Sequence, residues 1–206
     1  MKKILLYSAF VFALAACGND DNGSPSGNTT AGTTSSTTGT TSGTSNCGTI
    51  TVTRNGTTET VSSQNNTLIT EQYPTGESGR RLDIRANVPG GMLILTAGSP
   101  VTSTLPANVI PARTYYPTYH PNASCEDLNG EEYCDEMLAT FIASGNVTYM
   151  SIDETAPAYI TISSINGNTK KVSGSYNVRV EKFGGSDADT MRISGTFTDV
   201  CYTVIN

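Results

Sequence analysis

Residues 82–88, LDIRANV, set Leu82, Ile84, Ala86 and Val88 against Asp83, Arg85 and Asn87. Apolar and polar side chains that alternate with a period of two describe a strand with one buried and one wet face. The rhythm returns in KVSGSYNVRVE, where Val172, Tyr176, Val178 and Val180 oppose Ser173, Ser175, Asn177 and Arg179. MRISGTF repeats it with Met191, Ile193 and Phe197. GMLILTAG and AYITISSI read as more deeply buried strands, and EYCDEMLATFIA fits a strand or a helix equally well.

Turn chemistry separates these runs. Asn55-Gly56 divides TITVTR from TTETVS, the strongest short-range hairpin signal, and would set Ile50 opposite Val61. Asn166-Gly167-Asn168 and GGSDADT divide the later strands. Ser99 to Ser124 holds five of the nine prolines and reads as a long loop or an edge excursion. Hairpin after hairpin predicts an all-β domain over 47–206, an antiparallel β-sandwich or a barrel-like meander behind a disordered linker.

The linker follows from composition. From Ser24 to Ser45, Ser, Thr and Gly fill 19 of 22 positions, with no charge and no large apolar side chain. Such a stretch has nothing to bury against the entropy of ordering. The 29 residues from Gly18 to Asn46 would span about 30 Å as a coil and about 100 Å at full stretch.

Ahead of the linker, Lys2 and Lys3 precede an apolar run from Ile4 to Ala16. The run is shorter than the roughly 20 residues a spanning helix needs and suits a secretory signal over 1–16. Leu14-Ala15-Ala16-Cys17 resembles the lipobox of bacterial lipoproteins. The resemblance implies cleavage before Cys17, lipidation of its thiol and anchoring in a bilayer through several acyl chains. Gly18 follows Cys17 where inner-membrane retention resembles Asp, and Asp20-Asp21 resembles the acidic export signal of Bacteroidota surface lipoproteins. The implied location is the outer membrane, lipid-anchored, with exposure at the cell surface as a further expectation. The formal net charge of −6 falls to −8 without Lys2 and Lys3, which argues against nucleic-acid partners.

Four cysteines then remain, an even number that implies disulfides in an exported protein. CEDLNGEEYC is symmetric about Asn129-Gly130. A type I′ turn there would set Cys125 opposite Cys134 on a non-hydrogen-bonded pair, the closer kind, about 4.5 Å between Cα atoms. Cys47 and Cys201 would pair by elimination and clasp the ends of the domain. No CxxC and a single His argue against a metal site built on cysteines.

Two candidate sites come from the residues. The same hairpin sets Asp127 opposite Glu132, with Glu136 beyond Cys134. Facing carboxylates repel, and a Ca²⁺ ion held by all three would relieve that; a solvated acidic tip is the alternative. Tyr115, Tyr116, Tyr119 and His120 lie in TYYPTYHP. Tyrosines on a loop can meet a glycan, a peptide or an envelope protein, or pack the loop on the sheet. The sequence holds no Gly-x-Ser-x-Gly, phosphate loop or dinucleotide motif, so no catalytic residue is assigned.

Asp189-Thr190-Met191 resembles the Asp-Thr/Ser-apolar site of O-glycosylation in Bacteroidota. YITISSINGNTKKVSGSYNVRV followed by MRISGTFTDVCY resembles the end of small β-domains in Bacteroidota lipoproteins, which supports address and fold alone. The expected function is non-catalytic binding of a ligand or envelope partner by a tethered domain. A structural or accessory subunit of a surface complex and a glycan hydrolase are the alternatives.

Overall fold

The computed structural model describes residues 47–63, 67–72, 78–100, 109–117, 120–128, 131–151, 158–185 and 189–205. In chain order the strands are β1 (Thr49–Arg54), β2 (Thr57–Ser62), β3 (Leu68–Gln72), β4 (Ser78–Val88), β5 (Gly91–Pro100) and β6 (Thr114–Tyr115). They continue with β7 (Cys125–Leu128), β8 (Glu131–Cys134), β9 (Glu136–Ala143), β10 (Val147–Ser151) and β11 (Tyr159–Asn166). β12 (Lys171–Lys182), β13 (Thr190–Cys201) and β14 (Thr203–Ile205) complete the fold. All regular elements among the described residues are strands, including the ambiguous 132–143 stretch. Its period-two burial explains why: Met137, Ala139 and Phe141 are buried, while Leu138 between them is 37% exposed.

Twelve strands form one sheet along the path β14-β3-β4-β5-β9-β10-β12-β13-β1-β2, with β11 and β6 branching from β12. The path is open, so the sheet is not a closed barrel. Nor is it antiparallel throughout, because β14 runs parallel to β3. The reason lies in the connection. Tyr202 alone separates Cys201 of β13 from Thr203 of β14, so the chain keeps its direction and crosses to the far end of the path. That single-residue step requires the sheet to roll until its ends approach. One apolar cluster fills the roll, drawing Ile50 and Val52 from β1, Leu82 and Ile84 from β4, Leu95 from β5, Phe141 from β9 and Phe197 from β13.

Local chemistry sets the turns and registers. Asn55 and Gly56 both have positive φ (49° and 77°), as a type I′ hairpin requires, and Ile50 pairs with Val61. Asn166 Oδ1 accepts the backbone N–H groups of Asn168 and Thr169, each at 2.9 Å, which tightens the β11–β12 turn. A bulge interrupts β13: Val172 pairs with Val200, but Gly174 pairs with Phe197. The extra residue puts Asp199 at φ 50°, and its N–H donates to Ser173 Oγ at 2.9 Å. The bulge lets Phe197 and Val200, three residues apart, both face the core.

The two ends of the roll are closed differently. Near the β4–β5 turn, Arg54 donates to the carbonyl of Pro89, lies 4.9 Å over the Phe141 ring and is 3.9 Å from Glu59. At the other end of β5, Arg113 forms an ion pair with Asp135: Nη2 donates to Oδ1 at 2.6 Å, and Nε lies 2.5 Å from Oδ2. Arg113 also donates to Ser99 Oγ at 3.0 Å and to Ser124 Oγ at 3.3 Å. Asp135 is fully buried. Burial opposes the guanidinium charge, but the carboxylate outweighs it and the Arg113 pKa is raised further. The proline-rich excursion therefore does not float: Ile110 and Tyr115 enter the core, and Tyr115 Oη donates to the Pro111 carbonyl at 2.7 Å.

Both expected disulfides form. Cys47 joins Cys201 across a sequence separation of 154, with Cα atoms 5.0 Å apart. Cys125 joins Cys134, which face each other in the β7–β8 register with Cα atoms 3.8 Å apart. The Asn129-Gly130 turn lies outside the described residues, as do Cys17, the linker and the signal segment.

Candidate functional site

The rolled sheet leaves an outer face on β2, β1, β13, β12, β11 and β6. Because buried Ile50, Val52, Ile160, Ile162, Tyr176 and Phe197 take the inner positions, their neighbours in sequence face outward. Those neighbours are nearly all hydroxyl residues. One row crosses six strands: Thr60 pairs with Thr51, Ser175 with Thr196, Thr161 with Ser175, and Thr114 with Thr161. Thr51 Oγ1 and Thr196 Oγ1 close the remaining step at 3.0 Å, and Thr114 and Thr161 meet at 2.9 Å. A second row runs Thr58, Thr53, Ser194, Asn177, Tyr159 through successive register pairs. Thr53 and Thr58 share a hydrogen bond of 2.8 Å. Neither row contains a charged side chain.

One internal contact shapes the first row. Tyr176 Oη donates to the Thr51 carbonyl at 2.8 Å from inside the sheet, while Thr51 Oγ1 accepts the Thr196 N–H at 2.8 Å. A side chain has thus taken over part of the β1–β13 ladder. Gly195 makes room for it, since a Cβ there would lie 1.9 Å from the Thr51 carbonyl oxygen. Burial raises the Tyr176 pKa, which keeps the phenol a donor.

The rows end beside the tyrosine-rich loop. Extending the β11–β6 register by one residue sets Tyr116 opposite Tyr159. Tyr116 and Tyr159 are partly exposed, and His120 stacks on Tyr116 with ring centroids 4.5 Å apart and planes 6° apart. His120 Nδ1 accepts the Asn122 N–H at 3.1 Å, which holds the imidazole in place. Tyr116 and His120 are therefore together, as the sequence suggested. Tyr115 is a correction: it points into the core, fully buried, because β6 alternates faces and Tyr115 takes the inner one. Its pKa is raised, first by burial and then by the Asp135 carboxylate, against the opposing effect of Arg113. Tyr119 lies outside the described residues.

The Ca²⁺ set is not assembled. Asp127 faces Glu132 in the hairpin, both exposed, but Glu136 is 8% exposed and opens β9, where it pairs with Gly98 of β5. Buried Asp135 stands between hairpin and strand and takes Glu136 out of the hairpin plane. Among the described residues, the group of three liganding atoms within 4.8 Å of one another is Cys125, Glu132 and Cys134, and both sulfurs are spent in the disulfide. Elsewhere, buried Asp83 accepts from Thr96 Oγ1 at 2.7 Å and from Arg81 Nε at 2.8 Å.

On the opposite half, the outer face mixes apolar and charged side chains: Met92 pairs with Asn87 and Ile142, Ile94 with Arg85 and Thr140, and Leu138, 37% exposed, with Thr96. Phe183 is 74% exposed, and its N–H donates to the Thr148 carbonyl at 2.8 Å.

Comparison with family models, with curated proteins and with solved structures returns no match in any of the three.

Proposed function

We propose that the chain is an exported bacterial lipoprotein, acylated at Cys17 and tethered to the outer membrane by its Ser/Thr/Gly linker. Its β-domain binds a ligand or envelope partner without catalysis. The observation that carries this reading is the hydroxyl face, a polar surface whose two rows are built from uncharged side chains already in register across six strands. Polar groups fixed by a sheet need little ordering on binding, which favours recognition.

Two measurements test it. The N-terminal peptide of the native protein should carry diacylglyceryl and acyl mass at Cys17; a free thiol there ends the anchor. A chain of residues 18–206, which carries no acyl anchor, should be retained on isolated cell envelopes, and Ser175→Arg with Thr196→Arg should release it while Leu138→Arg should not. The reverse outcome favours the second reading, an accessory subunit that docks through the half of the domain bearing exposed Leu138.

A further inference from the structure

We infer that the hydroxyl face takes an uncharged, linear glycan laid across the strands, with Tyr116 and Tyr159 receiving its end. The inference deepens the proposed function and rests on the outer face of β1, β12 and β13 being the binding surface.

Spacing is the first argument. Neighbouring strands lie about 4.8 Å apart, and successive outward residues on one strand about 6.8 Å apart. The strand-to-strand step is close to the advance of one pyranose ring along an extended chain. A glycan lying along the first row would therefore set one ring over each strand, from Thr60 on β2 to Thr114 on β6. The second row, one step along the strands, would flank the same chain on its other edge.

Chemistry is the second. Each Ser or Thr hydroxyl offers one donor and two acceptor sites. After the pairing between Thr51 and Thr196, and between Thr114 and Thr161, acceptor capacity remains along the row. Asn177 adds both a donor and an acceptor, and its Oδ1 already receives Arg192 Nη1 at 3.3 Å. Mixed donors and acceptors without net charge match sugar hydroxyls. The nearest cations, Arg179 and Arg192, pair with each other one step beyond the second row, so a phosphate or uronate lying along the first row would meet no countercharge there. An extended peptide would need a free strand edge, which a sheet face does not supply.

The aromatic end is the third. A tyrosine ring packs against the C–H face of a sugar and keeps its hydroxyl wet. The stack of His120 on Tyr116 holds that ring at the end of the second row. Among the described residues one terminus of the array carries such rings, so the bound chain would have a direction.

The test uses the full-length protein purified in detergent, titrated calorimetrically with β-linked glucose oligomers of increasing length and with uronic-acid oligomers as the charged counterpart. Affinity for the neutral series should rise with length and level off near about six rings, one per strand of the face. Ser175→Val with Thr196→Val should weaken binding about tenfold, the equivalent of one to two net hydrogen bonds, with the thermal midpoint unchanged. Tyr159→Ala breaks none of the hydroxyl–hydroxyl bonds described above and provides a second variant should the valine pair unfold. The inference is overturned if neutral oligomers do not bind, if affinity ignores length, if the uronic series binds as well, or if both variants bind like the parent. Should neutral oligomers fail while the arginine pair still releases the protein from envelopes, the binding face stands and the glycan assignment falls. Should the arginine pair also have no effect, both fall together.

Discussion

The two ends of the roll do the same job with unequal means. At the Arg54 end the strands are joined by short turns: Asn55-Gly56, Pro89-Gly90 and Ser144–Asn146. Those hairpins hold their own geometry, and Arg54 only bridges them through a carbonyl, a ring face and a distant carboxylate. The Arg113 end receives the proline-rich excursion and the β7–β8 hairpin, long connections with little sheet pairing of their own. There the fold uses an ion pair on a buried carboxylate, two serine hydroxyls and the Cys125–Cys134 bond. Cross-links are concentrated where local turn chemistry is weakest.

The comparison predicts a graded series of losses. Arg113→Ala should be the most damaging change, about 3–5 kcal/mol in denaturant unfolding, because it takes the cation from the fully buried Asp135 carboxylate. A loss below about 1 kcal/mol, the range of an exposed pair, would erase the distinction between the ends. Replacing Cys47 and Cys201 together should cost about 2–4 kcal/mol, since the bond closes most of the domain into one loop. Reduction monitored by thermal unfolding checks it.

Alkaline pH gives the third. The Tyr115 and Tyr176 pKa values are raised in the folded state by burial. Below the ordinary tyrosine value of about 10 both states hold the proton and stability is unaffected. Above it the unfolded chain releases the proton while the folded one does not, so stability falls as pH rises. Tyr115→Phe should flatten that decline, at a cost near neutral pH of about 1 kcal/mol for the lost bond to Pro111. An unaltered slope above pH 10 would place the titration elsewhere. The smallest effect belongs to the opposite end: Glu59→Gln should change stability by less than about 0.5 kcal/mol, because the 3.9 Å contact is too long for a hydrogen bond and Gln keeps the side chain's shape.

Much of the architecture was legible in side-chain alternation. Leu82, Ile84, Ala86 and Val88 are all buried as their period required, and the Asn55-Gly56 turn fixed the pairing of Ile50 with Val61. The symmetric hairpin sequence similarly anticipated Cys125 facing Cys134. What alternation could not report is any change of phase. The β13 bulge at Asp199 brings Val200 inward against the period, and only the left-handed residue betrays it. The crossing at Tyr202 to a parallel β14 depends on the roll of the whole sheet, which no window of sequence contains. The same limit applied to the candidate site. Thr51, Thr196, Ser175 and Thr161 come from four segments, each reading merely as the wet side of a strand. A signal was present in the repeated hydroxyl-x-hydroxyl spacing of TITVT, SGTFT and SGSYN. It becomes a surface only when registers align them. Tyr115 was grouped with its exposed neighbours because a two-residue strand is too short for its alternation to be recognised.

The position of β1 has a temporal consequence. It lies between β2, its immediate successor, and β13, which arrives about the length of the domain later. A chain delivered amino end first can form the β1–β2 hairpin early, yet one side of β1 must wait for almost the last segment. Assembly of this kind is slow, because distant segments must find each other before any ladder rewards them. Oxidation of Cys47 with Cys201 then belongs to that same late event, the docking of β13.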